Sequence, residues 1–268
     1  MTSIENSTLH GQVVLITGGA RRIGAEIART LHAAGANVFI HYRSSAAAAI
    51  ALADELNKAR ARSAAIHAAH LLNAEAPDKL VAAALLEFGR LDILINNAGV
   101  GADDGMFAAK TIETTEDELR RVFGTNVFSV VAVTKAFLPL LKKSEAGRIV
   151  NLSSILGSLT LQADPKSPIA SIKTFAYDAS KSALNAFTIH LAAELAGTNI
   201  KVNSAYPGWV KTEMGNQHDR VGCVKAASNR LQCCYQPHQK KQNALKVMNI
   251  CRLHAISSVS NDPKACTT

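Results

Sequence analysis

Six short apolar runs punctuate the chain, at residues 12–17, 37–42, 63–68, 91–95, 148–152 and 200–205. Runs of this length, bounded by Gly, Asn or Ser, predict strands covered on both faces. The stretches between them carry a different rhythm. Ile23, Ile27, Ala28 and Leu31 recur at helical spacing, and residues 25–34, 46–60, 76–88 and 175–195 predict helices. Thr115-Glu-Asp-Glu118 is a capping-box pattern opening a further long helix, which Pro139 is expected to end or kink. Residues 155–174 contain Pro165 and Pro168 and predict an extended or loop segment. Strands alternating with helices predict one α/β domain of Rossmann type. Its sheet is doubly wound and parallel, with helices on both faces and right-handed crossovers. Ligands in such a sheet bind at the C-terminal strand edges. No last strand is identifiable after residue 205.

The first strand runs into Gly18-Gly19-Ala20-Arg21-Arg22-Ile23-Gly24, and a helix follows. Glycines here let the backbone approach a pyrophosphate, and the helix N-terminus offers it free N–H groups. NAD-binding chains usually end the second strand on an acid that bonds the ribose 2′-hydroxyl. This chain has Tyr42-Arg43-Ser44-Ser45 there, and its next acid is Asp54. A guanidinium beside hydroxyls suits a 2′-phosphate, so the expected cofactor is NADP(H). Asn96-Asn97-Ala98-Gly99 follows the fourth strand and supplies small residues and amides at the same edge.

Tyr177 and Lys181 stand one helical turn apart on one face. A phenol titrates near ~10, and a neighbouring ammonium is expected to lower that value. The pair therefore predicts a proton donor, with Ser154, at the end of the fifth strand, as a second hydroxyl.

Composition adds a boundary. With 48% hydrophobic and 19% charged residues, the 268-residue chain is ordinary for a globular protein. The net charge of +8 is unevenly spread: residues 215–268 hold eight Lys/Arg, two acids and all five cysteines. This divides the chain into an N-terminal extension (1–10), a catalytic domain (11–214) and a basic, Cys-containing, poorly ordered tail (215–268). Without a helix-turn-helix or aromatic platform, the basic charge predicts no nucleic-acid partner. The cysteine spacings lack the close pairs of a zinc site, so no metal is expected. No apolar run approaches the roughly 18 residues of a membrane span, and residues 1–10 do not read as a signal peptide. The expectation is a cytoplasmic protein with no membrane partner.

Over residues 10–214 the separated motifs Thr17-Gly18-x-x-x-Arg22-x-Gly24, Asn96-Asn97-Ala98-Gly99, Asn126, Ser154, Tyr177-x-x-x-Lys181 and Pro207-Gly208 occur in the order found in the short-chain dehydrogenase/reductase family, which this chain resembles. The resemblance implies a catalytic tetrad of Asn126, Ser154, Tyr177 and Lys181, with Asn126 holding a water that links Lys181 to solvent. Its cofactor site would comprise Gly18, Arg22, Ile23, Gly24, Tyr42, Arg43, Ser44, Asn97, Ala98, Gly99, Tyr177, Lys181, Pro207, Gly208, Val210 and Thr212. It also implies a homo-oligomer acting on a small carbonyl substrate. Arg22, standing for the usual middle glycine, and His41-Tyr42-Arg43-Ser44 resemble the NADPH-using pteridine reductases. That branch generally has Asp at the position of Ser154. Ser154 and the 23 positions from it to Tyr177 resemble carbonyl reductases instead. His70 stands where the family often has an acid that contacts adenine. The expected activity is NADPH-dependent reduction of a ketone or aldehyde to an alcohol. Pteridine reduction, 3-oxoacyl reduction and NADP(H) binding without turnover are the alternatives.

Overall fold

The computed structural model of the chain describes residues 9–101 and 110–207. Gly208, Val210 and Thr212, the tail 215–268 and the question of a last strand lie outside the described residues. Six strands, β1 (Val13–Ile16), β2 (Asn37–Tyr42), β3 (Ala64–Ala68), β4 (Ile93–Asn96), β5 (Arg148–Leu152) and β6 (Lys201–Ala205), form one sheet in the order β3-β2-β1-β4-β5-β6. Every pairing is parallel. The predicted α/β doubly wound sheet is therefore present. Its order reverses between β1 and β4, which opens a crevice at the C-terminal edge.

Alternation within the strands divides the core. Val14, Ile16, Val38, Ile40, Ile93 and Ile95 face one side, where Ile27 and Leu31 of α1 (Arg22–Ala33) and Leu52 and Leu56 of α2 (Ala46–Ala59) cover them. Val13, Leu15, Phe39, Leu94 and Ile149 face the other. They are covered by Leu80 and Ala84 of α3 (Ala76–Phe88), Val133 and Phe137 of α5 (Ser129–Leu141), and Leu191 of α7 (Phe175–Glu194). Such two-sided burial is the reason the strands read as continuous apolar runs. Leu9, assigned by composition to the N-terminal extension, is fully buried in the first of these clusters. Ordered packing thus begins before residue 11.

Three local outcomes differ from the sequence expectation. The long helix begins as α4 (Glu116–Phe123), where the Thr115 hydroxyl accepts from the Glu118 N–H at 3.2 Å. It widens into a π-helical turn at Gly124–Phe128 and continues as α5. Pro139 lies inside α5, which runs on to Leu141. The whole stretch Glu116–Leu141 is long and apolar enough to cross a membrane by length and composition alone. In this fold 56% of that window is buried, because its apolar stripe covers the sheet. Finally, segment 155–174 is folded. It contains a 3₁₀ turn (Ile155–Gly157) and α6 (Leu159–Ala163). Leu156, Ile169 and Ile172 form a separate small core around Tyr177. The prolines exclude regular helix but not a compact loop with its own apolar centre.

Candidate active site

The turn after β1 is shaped by contacts from three directions. Gly18 adopts φ +61°, in the left-handed region. The Asn97 side-chain amide donates to the carbonyls of Thr17 and Gly18, both at 2.9 Å. The Thr17 hydroxyl accepts the N–H groups of Asn97 and Ala98, both at 3.0 Å. Asn97 thus lines the site chiefly by holding the turn. Gly24 packs so closely that a Cβ there would lie 2.6 Å from the Gly18 carbonyl oxygen. Arg22 also has positive φ, +54°. An L-residue there costs about 1 kcal/mol relative to glycine. The usual glycine is replaced while the backbone shape that favours it remains.

His41 is a site residue that sequence reasoning missed. Its Nδ1 accepts the Gly18 N–H at 3.1 Å, its Nε2 pairs with the Ala69 carbonyl at 3.0 Å, and its own carbonyl accepts the Gly19 N–H. These bonds define the neutral tautomer with its proton on Nε2. The available signal was a polar residue ending an apolar strand run. Burial pushes the imidazole down to about 4, opposed by the Ala69 bond and reinforced by His67. Between the ordinary value of 6.5 and about 4, the unfolded chain binds a proton that the folded chain does not. Stability therefore falls as pH drops through that window, by up to about 3 kcal/mol at its acid end. Urea unfolding across this range is expected to show the loss, and His41→Gln to flatten it.

One cavity of about 340 Å³ brings most of the predicted residues together. Gly18, Arg22, Ile23, Gly24, Tyr42, Arg43, Ser44, Asn97, Ala98, Gly99, Tyr177, Lys181 and Pro207 all line it. Arg21, Ser45, His70, Leu71 and Leu72 line it too. Arg21, Leu71 and Leu72 carried no motif signal, since a cation beside Arg22 and two leucines in a loop are ordinary in isolation.

Of the four residues the family resemblance implies as catalytic, Tyr177 and Lys181 line this cavity, and Asn126 and Ser154 are not among its lining residues. Asn126 is fully buried in the π-helical turn, although an Asn within a helix ordinarily faces solvent. Its Oδ1 accepts the Val100 N–H at 2.9 Å, and its Nδ2 donates to the Val100 carbonyl and Ser180 hydroxyl, both at 3.0 Å. The side chain therefore joins the loop after β4 to α7. Lys181 is buried, and its Nζ donates to the Leu152 carbonyl at 2.8 Å. It lies 5.5 Å from the Tyr177 ring centroid, over the ring. Ser154 accepts the Leu156 N–H at 3.2 Å, and its hydroxyl is close enough to the Tyr177 phenol to influence its titration.

The sequence reading expected Lys181 to pull the phenol down. Burial instead pushes Tyr177 up to about 12, with the Ser154 bond opposing and the Asp178 charge adding to the rise. The burial around Tyr177 thus favours the protonated phenol. The cradle at Gly18 and Gly24, the helix N-terminus behind it and the cationic end at Arg43 fit a dinucleotide phosphate group. Among the described residues, no group of three or more His, Cys, Asp or Glu is placed to hold a metal.

Sheet, phosphate-binding turn and Tyr–Lys pair together define a nucleotide-dependent oxidoreductase. Comparisons with known proteins agree. The short chain dehydrogenase family matches residues 12–220. The chain is 39% identical over 207 residues to an uncharacterized oxidoreductase of Methylorubrum extorquens, covering 77% of this chain and 76% of that one. It is 32% identical over 208 residues to the 3-oxoacyl-[acyl-carrier-protein] reductase of Synechocystis, covering 78% of each. Among solved structures, a short chain dehydrogenase from Burkholderia cenocepacia in complex with NADP superposes with a TM-score of 0.69 at 32% identity, over 82% of this chain and 89% of that one. The chain belongs to the short-chain dehydrogenase family and is an NAD(P)-dependent oxidoreductase.

Proposed function

We propose that the protein is an NADPH-dependent reductase that converts a ketone or aldehyde carbonyl to an alcohol. The observation that carries this reading is that Tyr177 and Lys181, with the ammonium 5.5 Å from the phenol ring, open on the same cavity as the phosphate-binding turn. When bound, the dinucleotide supplies the hydride. Tyr177 gives its phenolic proton to the substrate oxygen as negative charge develops there. Ser154 donates a hydrogen bond to that same oxygen and stabilises the charge. Lys181, anchored on the Leu152 carbonyl, keeps a cation beside the phenol as its proton leaves. Asn126 keeps α7 and the loop after β4 in register, which fixes Lys181 near Gly99.

Arg43, Ser44 and Ser45 at one end of the cavity support NADPH as the physiological partner, and so does the NADP complex of a relative. A carbonyl panel assayed with NADPH and NADH, alongside cofactor titration, tests the proposal. Wild type is expected to oxidise NADPH with at least one aldehyde or ketone. Arg43→Ala is expected to weaken NADPH binding about 10–100-fold and leave NADH nearly unchanged, the loss of a charge-assisted bond to phosphate. Tight NADPH binding without turnover on any carbonyl would contradict the reaction. Equal loss of both cofactors would contradict the assignment of Arg43.

A further inference from the structure

We propose that Asp178 is a positioning residue for the proton donor: through Thr174 and Gln162 its carboxylate locks segment 155–174 onto the first turn of α7 and so holds Tyr177 facing Ser154. This rests on the reading of Tyr177 as that donor. The segment follows β5 and Ser154 and ends at Thr174, the residue that precedes α7. Its apolar residues Leu156, Ile169 and Ile172 form a small core against which Tyr177 packs. Apolar packing alone is non-directional. The directional tie comes from Asp178.

Three donors converge on this carboxylate. Its Oδ1 accepts the Thr174 hydroxyl at 2.7 Å. Its Oδ2 accepts the Thr174 N–H at 3.1 Å and the Gln162 side-chain amide at 3.0 Å. That amide also donates to the Leu156 carbonyl at 3.3 Å, while the oxygen of Gln162 accepts from Lys173 at 2.6 Å. Lys173 reaches the Gln162 main-chain carbonyl as well, at 2.9 Å. The clasp therefore joins both arms of the segment to α7. An ionised carboxylate accepts on both oxygens, whereas an amide presents donors on one side. Asn at this position must turn its amide either toward the Thr174 hydroxyl, which then has to change from donor to acceptor, or toward the Thr174 N–H and the Gln162 amide, which offer no lone pair.

The clasp is also electrostatic. Asp178 is 9% exposed. Burial raises its affinity for a proton, opposed by the Thr174 bonds, the Lys173 charge and the Gln162 bond. The charged and titratable groups around it are Lys173 on the segment, Tyr177 beside it and Lys181 a turn further along α7. Ser182 donates to the main-chain carbonyls of Asp178 and Gly157, not to the Asp178 carboxylate. A negative charge next to the phenol favours the protonated form.

Asp178→Asn and Gln162→Ala separate the two contributions. Asp178→Asn is expected to lower kcat about 10–100-fold by misplacing the donor. It should also move the alkaline loss of activity to lower pH, because the phenol loses its anionic neighbour. Gln162→Ala keeps the charge. It is expected to raise KM and leave the alkaline limb in place. Both should speed tryptic cleavage at Lys166 and Lys173, read by mass spectrometry without any turnover. Wild-type kcat, pH limb and cleavage rate in a folded Asp178→Asn protein overturn the inference. If that variant does not fold, an unchanged KM and cleavage rate in Gln162→Ala overturn it. Retained turnover in Tyr177→Phe would instead overturn the donor reading, and the cleavage arm would still judge the clasp.

Discussion

Replacing Tyr177 with Phe is expected to lower carbonyl reduction by about 10²–10⁴-fold, the usual contribution of a positioned general acid. Dinucleotide affinity should change little. The variant isolates the chemistry because Phe preserves the ring that packs against Leu156, Ile169 and Ile172. No cavity opens, and the Ser154 hydroxyl keeps its bond from the Leu156 N–H. What disappears is the proton and its acceptor position. Single-turnover kinetics with NADPH and an active carbonyl, beside a cofactor titration monitored by fluorescence, measure the two quantities separately. Turnover near the wild-type level would sink Tyr177 as the acid and shift attention to solvent or to Lys181.

The second large effect is expected at Gly24. A methyl group there would sit 2.6 Å from the Gly18 carbonyl oxygen, 2.7 Å from Asn97 Nδ2 and 2.9 Å from Gly19 Cα. None of these is the free end of a flexible chain. Gly18 is held by His41, and Asn97 is bonded to the Thr17 and Gly18 carbonyls. Relief requires moving the turn itself, at a cost of about 1–3 kcal/mol or more. Gly24→Ala is thus expected to lower the unfolding midpoint and to weaken binding of NADPH and NADH alike. Arg43→Ala, by contrast, is expected to discriminate between them. Denaturant unfolding and the two cofactor titrations check this. Wild-type affinity in Gly24→Ala would mean that the turn deforms more easily than its contacts imply.

Much of this was legible in the residues because the relevant signals are local. Strands buried on both faces must be apolar throughout, so β1, β2, β4 and β5 stand out as runs. The Gly-rich turn announces a close backbone approach, and Tyr177 and Lys181 meet by helical spacing alone. Asn126 was legible only as a family motif. A π-helical turn and three bonds to Val100 and Ser180 depend on residues 26 and 54 positions away. The same limit hid His41, whose partner Ala69 lies 28 positions on.

Segment 155–174 marks the boundary most clearly. Its prolines correctly excluded a long helix. Yet its fold comes from Ile169 and Ile172 meeting Leu156 and from Gln162 meeting Asp178, and neither pairing has a periodicity to read. Residue order was sufficient to predict the parallel sheet, since apolar runs alternating with helical ones can be read along the chain, and to single out Tyr177 and Lys181, which meet by helical spacing. Only the tertiary structure shows the Tyr177 phenol pushed up rather than down. Burial is a property of everything packed around a group, and the environment that raises the Tyr177 phenol is assembled from distant parts of the chain.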